Sequence, residues 1–132
     1  LSPLELYWSR CEGRIVFGFN DCCMVVGDVI LAAGGPDLMA PYRGRYKTAI
    51  GFARAFKRQG FDTLQDACLA QLEEYGEAVD APRDFDVAIV SYQGHTGPAV
   101  SPAFYHGGFW CLRSEDGMFV SQGSPETIWR VI

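Results

Sequence analysis

The residues best placed to do chemistry lie in Phe17-Gly18-Phe19-Asn20-Asp21-Cys22-Cys23. Asn and Asp are preferred helix N-caps, because a side-chain oxygen accepts one of the unpaired N–H groups of the first turn. A helix opening at Asn20-Asp21 puts Cys22 in that turn, among free N–H groups and at the positive end of the helix dipole. Such placement stabilises a thiolate and brings a thiol pKa from ~8.5 to about 4–7. A thiolate at neutral pH is a nucleophile suited to acyl transfer. The N–H of Cys22, held by the cap that Asn20 and Asp21 provide, would help receive the oxyanion that forms. Cys23 lies one residue round the helix, points elsewhere and reads as a core side chain.

A cysteine nucleophile needs a base that the fold brings within hydrogen-bond reach. The chain has 2 histidines, His95 and His106. His95 falls in Gly94 to Pro102, a stretch rich in Gly, Pro and Ser that reads as a loop, and is most simply a solvated residue. His106 opens the run His106-Gly107-Gly108-Phe109-Trp110-Cys111, where small residues leave space beside the imidazole for a substrate. It is the candidate base; the other reading is a surface histidine at a strand end.

The elements that must position these groups follow from periodicity. The helix from Asn20-Asp21 runs to about Ala33, with Val25, Val26, Val29, Ile30 and Ala33 at three- and four-residue spacing, and stops at Gly34-Gly35-Pro36. A second helix fits Thr48 to Gln59 and a third Thr63 to Tyr75, where Thr63 and Asp66 resemble a capping box and Cys68 falls on the apolar face. After Pro82 the pattern changes. Asp86 to Tyr92 alternates like a strand, Phe104 to Leu112 is aromatic and strand-like, Glu115-Asp116-Gly117 is a tight turn before Met118 to Ser121, and Thr127 to Ile132 is a last strand. N-terminal helices followed by an antiparallel sheet make an α+β fold, here one domain over residues 1–132.

Composition narrows the function classes. Hydrophobic residues are 48% and charged residues 20% of 132, which is globular rather than disordered. A net charge of −5 argues against nucleic acid as a partner, since phosphate affinity is built on Lys and Arg. No apolar run approaches the roughly 18 residues of a membrane span. The first residues, with Glu5, Arg10, Glu12 and Arg14, do not read as a secretory signal. The cysteines number 5, an odd count, and two are adjacent, so free thiols in a reducing compartment are expected rather than a disulfide framework. No C-x-x-C pair is present, so neither a metal site nor another cofactor is expected. Arg54, Lys57 and Arg58 read as a solvated face, while Arg43, Arg45 and Lys47 could dock an acidic neighbour.

Asp21-Cys22 and its amphipathic helix, then Phe85-Asp86-Val87, then His106-Gly107-Gly108-Phe109-Trp110, resemble in type and order the motifs of NlpC-type cell-wall cysteine peptidases, a compact papain-like group. The likeness covers roughly Phe17 to Gly123. Phe85 stands where that family has Gly, and Cys23 where Ser is common. Phe17-Gly18-Phe19-Asn20-Asp21-Cys22, Gly35-Pro36-Asp37, Arg43-Gly44-Arg45-Tyr46 and Trp129-Arg130-Val131 are similar to a small subgroup found among phage tail genes. The resemblance implies a papain-like fold with Cys22 as nucleophile, His106 as base, and Gln122 or Ser121 orienting the ring. It implies a tail-tip or tail-assembly protein of a virion, made in the host bacterial cytoplasm, with baseplate and tail-tip proteins as partners and peptidoglycan peptide stems as substrate. The subgroup does not always keep the His. The same resemblance therefore implies, as the alternative, a catalytically degenerate structural protein, with Tyr105, Phe109 and Trp110 as contact residues.

Overall fold

Ser2-Pro3-Leu4-Glu5 starts a helix that apolar periodicity does not reveal. Ser2 and Glu5 cap each other reciprocally and Pro3 takes the first helical position, so helix α1 forms over Pro3–Arg10. In the computed structural model, which describes residues 1–132, three more helices follow: α2 (Cys22–Ala32), α3 (Ala49–Arg58) and α4 (Leu64–Tyr75). Asp21, Thr48 and Thr63 are their N-caps, each accepting a backbone N–H three residues on. No helix is long and apolar enough to cross a membrane.

The strands are β1 (Glu77–Val79), β2 (Val87–Gly94), β3 (Gly97–His106), β4 (Phe109–Ser114), β5 (Gly117–Ser121) and β6 (Ile128–Arg130). They form one antiparallel sheet in the order β1-β6-β2-β3-β4-β5. Helix α2 is the central element: its residues from Cys23 to Ile30 are all buried. On one side it packs with Tyr7 of α1 against Val87 and Phe104 of the sheet; on the other it meets Met39, Tyr42, Phe52 and Phe56. A third cluster of Ala88, Val90, Ala103, Trp110 and Leu112 completes the core. The fold is therefore α+β, with the helices packed on the sheet.

Two expectations are corrected by the course of β3. Gly94 to Pro102 is not a loop: only His95 and Thr96 turn, and Gly97 pairs back with Gly94. Pro98 and Pro102 are tolerated because of the ladder's phase. The Tyr105 N–H donates to Asp86, toward β2, so the nitrogens of the even-numbered residues point the other way. There β4 pairs only with Phe104 to His106, and a proline loses no bond. Nor is Phe104 to Leu112 one strand. Gly107 and Gly108, at φ 59° and 91°, make a two-residue hairpin turn, so His106 ends β3 rather than opening a strand. Strand β1 was not expected; it is a three-residue edge paired with β6.

Asp84 and Asp86, the acids on either side of Phe85, make different contacts. Asp86 is 2% exposed and accepts two bonds from the Arg130 guanidinium, at 3.0 and 2.7 Å. The Trp129-Arg130-Val131 segment thus ties the last strand to the start of β2. Asp84 instead accepts from the Gly107 N–H at 3.1 Å. Arg43 does not stand free for a neighbour: it pairs with Asp28 at 2.7 Å and Asp37 at 2.9 Å inside the chain. Trp110 is core, at 2% exposure, and not a surface contact.

Candidate functional site

Cys22 is the first residue of α2 and is partly exposed. The loop before it is held by two side chains. The Asn20 carbonyl accepts from the Val16 N–H at 2.6 Å, and its amide donates to the Arg14 carbonyl at 3.1 Å. Asp21, 1% exposed, accepts from the Met24 N–H at 3.1 Å, the Gly18 N–H at 2.8 Å and the Tyr46 hydroxyl at 2.7 Å. Asp21 therefore caps the helix, while Asn20 fastens the approach loop. Burial, with the Asp21 carboxylate next, pushes the Tyr46 hydroxyl far above its ordinary pKa, so it stays a donor.

The Cys22 thiol lies below its ordinary pKa. The largest cause is the hydrogen bond from the Cys23 thiol, with Sγ to Sγ at 3.9 Å; the Ser101 hydroxyl and the Cys23 N–H add to it. Desolvation and the Asp21 charge work the other way. Cys23 is correspondingly pushed well above the usual thiol range, because it donates to the Cys22 thiolate. It is buried, as expected of a core residue, yet its thiol does more to hold the Cys22 charge than any other group. Alkylation with iodoacetamide is expected to show a Cys22 midpoint below that of a free cysteine. Cys23→Ala should move it upward and slow alkylation at pH 7 by about tenfold, the equivalent of one pKa unit. An unchanged midpoint in Cys23→Ala would remove this account of the thiolate.

From the sheet, Ser101 of β3 helps lower the Cys22 pKa, while its hydroxyl donates to the Pro102 carbonyl at 2.8 Å. Tyr92 of β2 is near as well: its hydroxyl pKa is raised by burial first and then by the Cys22 charge. His106 lies on the same strand as Ser101 but five residues further along, about 16 Å at ~3.3 Å per residue. Its Nε2 is 3.7 Å from the Asp84 carboxylate and its ring is 5.7 Å from Phe85. No hydrogen bond joins Cys22 and His106, and the Gly107-Gly108 turn puts the histidine at the end of β3. Ser121 ends β5 and accepts from the Gly123 N–H at 3.0 Å. Gln122 lines a surface hollow with Asp80, Tyr105, Gly108 and Trp110. Neither belongs to the Cys22 neighbourhood described here. His95 sits at the β2–β3 tip, 2.9 Å from Glu115 and 2.8 Å from Asp116. Its pKa is raised, chiefly by the hydrogen bond to Asp116.

Sequence reasoning missed Ser101, Tyr46 and Cys68. Cys68 comes from α4, with Sγ 3.7 Å from that of Cys23, and is partly exposed rather than core. Both cysteines line a small apolar cavity of about 40 Å³ walled by Met39, Tyr42, Phe52 and Leu64. No group of three or more His, Cys, Asp or Glu side chains is arranged to hold a metal ion. Chemically the site offers a thiol of depressed pKa whose surroundings include the Ser101 and Tyr92 hydroxyls. It can attack an electrophile, but Ser101 and Tyr92 cannot take up and return a proton at neutral pH as an imidazole does.

The chain belongs to the family described as Domain of unknown function (DUF6950), whose match covers residues 4–131. No curated protein and no solved structure matches it.

Proposed function

We propose that this DUF6950 member is a bacteriophage tail-tip or tail-assembly protein with an NlpC-like, papain-type fold whose peptidase site retains the thiolate and lacks the imidazole. Its work is architectural: it is a virion subunit, made in the host cytoplasm, that binds neighbouring tail-tip or baseplate proteins. The observation that carries this reading is that no hydrogen bond joins Cys22 to a histidine: His106 stands at the Gly107-Gly108 end of β3, 3.7 Å from Asp84, and His95 pairs with Glu115 and Asp116. A missing general base costs roughly 10²–10⁴ in rate. The motifs shared with the phage subgroup support the fold assignment through the structural work they do. Gly18 and Asp21 build the helix start, and Arg130 clamps Asp86. Phe85, at φ 68°, has the backbone conformation that favours the Gly found there in the peptidases. For partners, edge strand β5 presents Met118, Phe119 and Val120 at 53%, 37% and 50% exposure, beside Phe109 of β4 at 39%.

The test is hydrolysis of purified peptidoglycan sacculi. The isolated protein is expected to release no stem peptides beyond what Cys22→Ala releases. Release by the wild type that Cys22→Ala abolishes overturns the architectural reading. One observation favours a second reading, a cysteine endopeptidase or amidase on peptide stems: the depressed pKa of Cys22. In that case a neighbouring subunit supplies the imidazole, and Cys22-dependent release appears only with assembled particles.

A further inference from the structure

We propose that Cys23 and Cys68 are a dithiol that peroxide converts to a reversible disulfide, and that forming it silences Cys22. Three sulfurs stand in a row from α2 to α4, with Cys22 to Cys23 at 3.9 Å and Cys23 to Cys68 at 3.7 Å. All five cysteines are free. A bond between the adjacent Cys22 and Cys23 would be strained, whereas Cys23 and Cys68 approach from different helices. Closing from 3.7 Å to the ~2.05 Å of a disulfide asks for about 1.6 Å of movement shared by two side chains. Both line the cavity beside α4, and Cys68 is partly exposed, so a small oxidant can reach it.

The chemistry takes two steps and consumes one peroxide. The Cys68 thiolate attacks one peroxide oxygen; the S–O bond forms, the O–O bond breaks, and the departing hydroxide takes a proton to become water. Sulfur has lost two electrons and peroxide has gained them. Cys23 then attacks the Cys68 sulfenic sulfur and passes its proton to the Cys22 thiolate, its hydrogen-bond partner. The S–S bond forms, the S–O bond breaks, and the second hydroxide leaves as water after protonation by solvent. Cys22 is left as a neutral thiol facing a sulfur that has no proton to donate. Reduction by a dithiol restores the donor and the thiolate with it. The other buried pair is less suited to this exchange. Both Cys11 and Cys111 are buried, which shields them from oxidant, and neither stands in the row of sulfurs that reaches Cys22.

The inference rests on Cys22 as the reactive group of the site and not on turnover, since its test never reads hydrolysis. The full chain is treated with hydrogen peroxide, free thiols are blocked and counted, and the digest is mapped by tandem mass spectrometry. Two thiols should disappear, with Cys23 joined to Cys68. Iodoacetamide labelling of Cys22 at pH 7 should slow by about tenfold, one pKa unit, and recover with dithiothreitol. In Cys68→Ala and Cys68→Ser, peroxide should leave that labelling rate near its starting value. The proposal is overturned if Cys11 and Cys111 are the pair that joins. It is overturned equally if the wild type forms no link, if labelling is unaffected once Cys23 and Cys68 are joined, or if peroxide suppresses labelling as strongly in the Cys68 variants.

Discussion

Gly18→Ala is expected to destabilise the fold by about 3–5 kcal/mol, close to the whole stability of a marginal domain. Two costs fall on this residue together. Its φ is 88°, where a side chain is strained by about 1–3 kcal/mol. An added Cβ would also sit 2.4 Å from the Tyr46 carbonyl oxygen, a backbone atom that cannot swing aside. Moving the loop to relieve the contact pulls the Gly18 N–H from the Asp21 carboxylate, 2.8 Å away. Gly13→Ala is the control. Its φ is 70°, but nothing lies within 4 Å of the added Cβ. It should cost only about 1–2 kcal/mol. Urea unfolding midpoints of the two variants decide the matter; similar losses would mean that the contact with Tyr46 has no part in the effect.

Asp21→Ala should cost about 4 kcal/mol or more, and Asp21→Asn less. The alanine loses the helix cap, worth about 1 kcal/mol. It also strips the Gly18 N–H and the Tyr46 hydroxyl of a buried charged acceptor, at about 1.5–3 kcal/mol for each bond in favourable cases. Asparagine keeps one acceptor oxygen and removes the charge, but its NH2 takes the place of the other oxygen, so part of the bonding to Met24, Gly18 and Tyr46 is lost. Since the Asp21 carboxylate raises the Cys22 pKa, its neutralisation should move the Cys22 alkylation midpoint to lower pH. The thiolate would then persist further into acid, while the protein is somewhat less stable. The two readouts therefore move in opposite directions, which a general loosening of the loop does not produce. A midpoint that rises in Asp21→Asn would show that the carboxylate supports the thiolate instead of opposing it.

Both effects concern a loop that is legible from local chemistry. Asp21 caps a helix because its side chain reaches N–H groups three residues on, and the same reach makes Thr48 and Thr63 caps. Helix ends, apolar faces, the α+β order and the position of Cys22 at a helix start all depend on residues within one or two turns of each other. The hairpin at Gly107-Gly108 was legible by the same standard, since paired glycines between strand-forming residues are a turn signal. Overlooking it made His106 the head of a strand when it is the tail of one.

Apart from Cys23, its neighbour in sequence, what surrounds the sulfur of Cys22 belongs to tertiary structure. Ser101 lies in a Gly- and Pro-rich segment that resembles a loop, and becomes a strand because β2 pairs along it and no strand claims the side toward which its prolines point. Cys68 and Tyr46 arrive from 46 and 24 positions along the chain, brought by the packing of α4 and of the segment before α3 against α2. A nucleophile's charge can be read from the turn that holds it. The distant groups around it, and the place of the histidines, follow from which surfaces bury each other, and no local pattern encodes that choice.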